Sequence, residues 1–137
     1  MKAKAETTSL VIKTKGKPER LPFARLKEAA LGKSYELSIA FVSNAESRRL
    51  NRTYRGKDKP TNVLSFPLSK NSGELVLAPN VILREAPKFN LSVRAMTAYL
   101  TIHGLLHLKG MDHGSTMESR ERQLLKRFRF PLPNTLQ

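Results

Sequence analysis

The sequence predicts one domain, residues 1–137, built from both strands and helices: about four strands and about five helices. Three observations carry this. A chain of 137 residues is long enough for a real core and short for two. Stretches with apolar residues at alternate positions are interleaved with stretches where they recur every three or four. Finally, there is no internal repeat, low-complexity segment or long linker to divide the chain.

Taken in order, Thr8 to Lys13 reads as a first strand around Leu10, Val11 and Ile12, and Gly16 and Pro18 mark a turn. Pro22 suits a first helical turn, and Phe23, Leu26, Ala29 and Ala30 form a helical stripe that Gly32 ends. Tyr35, Leu37, Ile39 and Phe41 alternate, a strand with one clearly buried face. Ser43 and Glu46 have the spacing of a capping box. A helix is expected from Asn44 to about Tyr54, with Ala45, Leu50 and Tyr54 inward and Arg48, Arg49 and Arg52 outward. A polar loop from Arg55 to Pro60 leads into a strand, Asn62 to Leu68, which Pro67 assigns to an edge or end. Asn71-Ser72-Gly73 signals a turn, so this strand and Glu74–Ala78 form a hairpin.

Val81 to Ala86 suggests a short helix broken by Pro87. Asn90 or Ser92 caps a long helix marked by Val93, Met96, Tyr99, Leu100, Ile102 and Leu106, which Gly110 stops. A last helix runs from Met117 to about Phe128, with an apolar stripe at Met117, Leu124, Leu125 and Phe128 against Glu118, Arg120, Glu121 and Arg122. The Pro131-Leu132-Pro133 tail is irregular.

Every histidine lies in one eleven-residue stretch, His103 to His113. His103 and His107 are four apart, so on a helix they share a face roughly 6 Å apart along the axis. The helix stop at Gly110 lets His113 turn back towards them. Three neutral imidazoles facing one point suit one Zn²⁺ best among common ions, with a fourth position open to water. Such a water ionises near neutral pH. A closed structural zinc site takes four protein ligands and favours cysteine. This chain has no cysteine and no fourth histidine, so an open, catalytic site is expected. The spacing also resembles the metzincin zinc-protease signature, but Gly104 stands where that signature places its glutamate base.

The charge points to a partner. Lys and Arg number 25 against 11 acidic residues, a net charge of +14 spread along the whole chain rather than in a tail. Such a surface suits a polyanion, because each phosphate it neutralises releases a counterion. With six Phe, three Tyr and no Trp, a stacking platform for single strands is not evident. No apolar run approaches a membrane span. The segment from Met1 to Lys17 is basic and polar without a signal-peptide core, so a cytoplasmic protein is expected.

Two separate stretches resemble one family. His103-Gly104-Leu105-Leu106-His107-Leu108-Lys109-Gly110-Met111-Asp112-His113 is similar to the H-G-x-L-H-L-x-G-Y-D-H signature of the YbeY family, bacterial metal-dependent endoribonucleases specific for single strands. Arg55-Gly56-Lys57-Asp58-Lys59-Pro60-Thr61-Asn62-Val63-Leu64-Ser65-Phe66-Pro67 resembles that family's second signature, and Gly73-Glu74-Leu75-Val76 its following strand. The resemblance implies an α+β fold with a small mixed sheet and the metal in a cleft between helix and sheet. It implies His103, His107 and His113 as zinc ligands and Arg55 as a required arginine. It also implies precursor ribosomal RNA and the small ribosomal subunit or its assembly factors as partners; neither DNA nor a membrane is expected. Met111 departs from the signature's tyrosine, and the segment after His113 lacks the family's common acidic run.

On this reading Arg55 clamps a phosphate and stabilises developing charge, while Lys57 and Lys59 position the RNA backbone. Asp112 either orients an imidazole or accepts a proton, or simply caps its loop. The nucleophile is either water or the ribose 2′-OH. The alternative is an RNA-binding ribosome-assembly factor in which zinc is structural and nuclease activity slight.

Overall fold

The computed structural model describes residues 10–14 and 19–137. Four strands form one sheet: β1 (Leu10–Thr14), β2 (Glu36–Phe41), β3 (Val63–Ser69) and β4 (Ser72–Leu77). The five α-helices are α1 (Phe23–Leu31), α2 (Asn44–Arg55), α3 (Pro79–Glu85), α4 (Val93–Leu108) and α5 (Ser115–Arg127), with short 3-10 turns at Ala86–Phe89 and Asn134–Leu136. This is the expected α+β fold. Of the first expected strand, Thr8 and Ser9 lie outside the described residues, as does the expected turn at Gly16 and Pro18.

The sheet order is β1-β2-β4-β3. β1 pairs parallel with β2 and β2 with β4, whereas β3 pairs antiparallel with β4 as a hairpin requires. β3 is therefore an edge strand. Pro67 sits in it at a register irregularity, where a residue without an N–H costs least. The hairpin turn is shorter than expected, because Ser72 and Gly73 already belong to β4.

Ile39, Leu75 and Leu77 are fully buried on the face that packs against α4, together with α1 and α5. α4 is the central helix: ten of its sixteen residues are buried, so it is apolar nearly all round. Its two buried hydroxyls are satisfied within the helix, Thr97 donating to the Val93 carbonyl and Thr101 to that of Thr97. α1 buries Lys27 beside its apolar stripe. The Lys27 ammonium donates to the carbonyls of Lys33 (2.7 Å) and Tyr35 (3.0 Å), tying the end of α1 to the start of β2, and burial lowers its pKa.

α2 departs from expectation. Its buried residues are Ser47 and Asn51, while Ala45 and Tyr54 are exposed and Leu50 half-buried. The cause is polar. Ser47 Oγ donates to the Thr61 carbonyl at 2.7 Å and accepts from the Thr61 amide at 2.9 Å. Asn51 Nδ2 donates to the Lys59 carbonyl at 2.8 Å. The inward face of α2 thus supplies partners for the backbone of the following loop. Arg48, Arg49 and Arg52 point outward as expected, and Ser43 caps the helix by accepting from the Glu46 amide.

Candidate metal centre

Two features of α4 place its histidines. Ser92 caps its start, accepting from the Ala95 amide at 3.1 Å. Gly104 then lets the helix approach the sheet closely. A Cβ at that position would lie 2.7 Å from Leu75 Cδ2 and 3.1 Å from Ser65 Oγ, so no larger residue fits without movement. Ser65 Oγ also donates to the Gly104 carbonyl at 3.1 Å. The position after His103 therefore faces the core, and a protease-type glutamate there would point into the sheet.

The end of α4 sets the rest. Gly110 takes φ 99°, and the Gly110 amide bonds to the His107 carbonyl (2.9 Å) while the Met111 amide bonds to that of Leu106 (3.0 Å). This pair of bonds is a Schellman termination, for which a left-handed glycine is the cheapest residue. The reversal brings the Met111 carbonyl to His107 Nδ1 at 3.0 Å. Two residues later His113 lies against both α4 histidines, with ring centroids 5.0 Å from His103 and 4.7 Å from His107.

His103 is held from α5. Its Nδ1 lies 2.6 Å from a carboxylate oxygen of Glu121, which is only 2% exposed. Both Nδ1 atoms thus face acceptors and keep their protons, which leaves each Nε2 with a free lone pair. Those two Nε2 atoms are 3.2 Å apart, and the three histidines offer nitrogens all within 4.8 Å of one another. Two lone pairs so close repel unless a cation lies between them. Nitrogens bound tetrahedrally to zinc at 2.0–2.1 Å are separated by about 3.3 Å, so the spacing of the α4 pair fits one shared ion. Burial and then the neighbouring His103 and His113 push the His107 pKa below its ordinary value; the Met111 carbonyl and Glu121 oppose this less strongly. His107 is thereby kept neutral, as a ligand must be.

The structure brings His103, His107 and His113 together and adds Glu121, which the sequence pattern alone places on the polar side of its helix. A signal for the inward position is present. Glu121 is four residues after Met117 and three and four before Leu124 and Leu125, on the same inward stripe. Asp112 is exposed and, among the described residues, bonds to no imidazole; the two orienting acceptors are Glu121 and the Met111 carbonyl.

Arg55 is the last residue of α2, and Lys57 and Lys59 follow in the loop; all three are exposed. Their neighbours are neutralised. Arg48 and Arg52 share Asp58 (2.8 and 3.4 Å), and Arg49 pairs with Glu46 (2.7 Å). Among the described residues, no ion pair or side-chain hydrogen bond engages Arg55, Lys57 or Lys59. Arg55 at the helix end, and Lys57 and Lys59 on a loop whose backbone Ser47 and Asn51 hold in place, are thus cations without an acidic partner among the described residues. A shallow groove of about 590 Å³ also opens beside Met111, walled by Ser115, Thr116, Ser119 and Arg122.

The family model described as Endoribonuclease YbeY matches residues 12–129. The chain belongs to the YbeY family. Curated relatives named Endoribonuclease YbeY agree with this family assignment. The protein from Methylobacillus flagellatus is 38% identical over 124 residues, covering 85% of this chain and 83% of the relative. That from Laribacter hongkongensis is 42% identical over 123 residues (81% and 74%), and that from Nitrosomonas eutropha 41% over 128 residues (88% and 91%). The fold is similar to the solution structure of TM1509 from Thermotoga maritima, with a TM-score of 0.63 and 28% identity over 88% of this chain and 91% of that one. The two motifs that resemble the YbeY signatures both lie within the matched residues.

Proposed function

We propose that this YbeY-family chain is a single-strand-specific, zinc-dependent endoribonuclease, one domain over residues 1–137, acting in the cytoplasm. It hydrolyses phosphodiester bonds in precursor ribosomal RNA, at the 3′ end of 16S ribosomal RNA and in ribosome quality control, in company with the small ribosomal subunit or its assembly factors. The observation that carries the reading is the α4 histidine pair. Its Nε2 atoms lie 3.2 Å apart with both Nδ1 atoms anchored, and His113 closes over them.

His103, His107 and His113 hold the ion. When bound, zinc supplies Lewis acidity to a phosphate oxygen and lowers the pKa of a water. The protein's own groups do the remainder. Glu121 and the Met111 carbonyl fix the two α4 imidazoles in the tautomer that aims Nε2 at the ion. Arg55, with no acidic partner among the described residues, clamps a phosphate with two parallel hydrogen bonds and stabilises the charge that grows on it. Lys57 and Lys59 hold the flanking backbone. Asp112, exposed and next to His113 in the chain, accepts a proton on this proposal. Preference for single strands follows from flexibility, since an unpaired backbone bends around an edge strand where a duplex does not.

The test compares wild type with Arg55→Glu and His107→Ala on labelled single-stranded ribosomal RNA, with and without chelator, alongside thermal melts. The expected result is cutting by wild type alone, abolished by chelator, with both variants folded. Equal trace cutting by all three samples, with RNA binding intact, would overturn it in favour of an assembly factor with structural zinc.

A further inference from the structure

The sheet has two faces, and the second carries an aromatic pair, exposed Tyr54 and half-buried Phe66. Ser65 and Val63 point from β3 towards Gly104 of α4. Phe66, one residue along, points to the opposite face, where its ring meets Tyr54 of α2 at a centroid distance of 5.0 Å and 64°. Tyr54 is 64% exposed and its hydroxyl has no hydrogen-bond partner among the described residues. Leu68, at the register irregularity of β3, is 69% exposed. A large aromatic ring left this open, at the last turn of a helix whose inward face is polar, is not explained by packing. The chain that follows it is charged. Arg55 is its chain neighbour, and Lys57 and Lys59 follow, the three cations of this region that no acidic group among the described residues neutralises.

We infer that Tyr54, braced edge-on by Phe66, is a stacking subsite for an unpaired nucleobase, with Lys57 and Lys59 holding that nucleotide's backbone. The inference rests on the RNA-cleaving reading and specifies how the substrate is held away from the metal. Every base has a π-face, so such a subsite binds single strands with little sequence preference, and a base stacked in a duplex cannot use it. β3 is the edge strand, so a single strand laid across that edge reaches both faces: its base on Tyr54, its neighbouring phosphates towards the α4 side. A protein ligand is disfavoured, because the apolar patch is small and the free charges beside it are all of one sign.

The experiment uses a short single-stranded RNA carrying 2-aminopurine and 2′-O-methyl groups, so that binding is read without cleavage. Wild type is compared with Tyr54→Ala, Tyr54→Trp, Tyr54→Leu and the Lys57→Ala/Lys59→Ala pair. Leucine covers Phe66 without a π-face and so separates stacking from packing. Expected are a stacking-type fluorescence change on binding to wild type and Tyr54→Trp, and its loss in Tyr54→Ala and Tyr54→Leu with roughly 5- to 100-fold weaker binding. In cleavage assays the same two variants raise KM and leave kcat unchanged. Wild-type binding and fluorescence in Tyr54→Ala and Tyr54→Leu, with weakened binding in the lysine pair, would overturn the subsite alone and leave Tyr54 as a cover for Phe66 or a protein contact. If the lysine pair also binds as wild type, this face holds no RNA and the reading of the basic loop fails with it.

Discussion

The end of α4 and the loop after α2 are built in opposite ways. At the end of α4 the polar atoms are fixed one by one: Glu121 holds His103, the Met111 carbonyl holds His107, and Gly104 presses the helix onto β3 and β4. Around the loop after α2 the backbone is held by Ser47 and Asn51 and Asp58 by Arg48 and Arg52, while the heads of Arg55, Lys57 and Lys59 are left in solvent. The difference matches the two proposed ligands. A metal ion needs nitrogens placed within tenths of an ångström, whereas a flexible phosphate chain needs charge that reorients with it.

The largest effect should come from removing a ligand. His107→Ala deletes one of three imidazoles and strands the Met111 carbonyl, so zinc affinity should fall beyond the roughly 100-fold that marks loss of an outer partner; competition with a chromophoric chelator measures it. Glu121→Gln keeps the shape and removes the charge behind His103, and the same titration should show about 10- to 100-fold weaker binding. If it binds as wild type, the buried carboxylate is not what organises the site. Gly104→Ala should lower stability by about 1–3 kcal/mol in denaturant unfolding, because its methyl group meets the fully buried Leu75. The mildest changes belong to the loop. Lys57→Ala and Lys59→Ala should each reduce the salt slope of single-stranded RNA binding by about 0.7 for every phosphate left without its cation, while zinc affinity stays that of wild type. A change in zinc affinity there would erase the contrast between the two regions.

What is legible in the sequence is local. The three histidines, the helix stop at Gly110, the edge strand flagged by Pro67 and the hairpin all rest on neighbours a few residues apart, and the structure contains each of them. What the sequence hides depends on distant partners. Ser47 and Asn51 turn inward because the loop at Lys59 and Thr61 needs donors and acceptors, which no apolar stripe reveals. Tyr54, expected to face inward, is 64% exposed at the last turn of α2, its ring edge-on to Phe66. Lys27 is buried because two carbonyls beyond its helix receive its ammonium. Glu121 is concealed by its charge: a carboxylate among arginines looks solvent-facing until His103 is seen 2.6 Å away.

The most direct measurement is zinc-edge X-ray absorption on the metal-loaded chain, with His113→Ala beside it. Wild type should show one ion with three imidazole nitrogens at about 2.0–2.1 Å and a lighter fourth ligand, and His113→Ala should show two imidazoles. Fewer than three imidazoles in wild type, or a spectrum unchanged by His113→Ala, would contradict a metal centre built from the end of α4 and the turn that follows it.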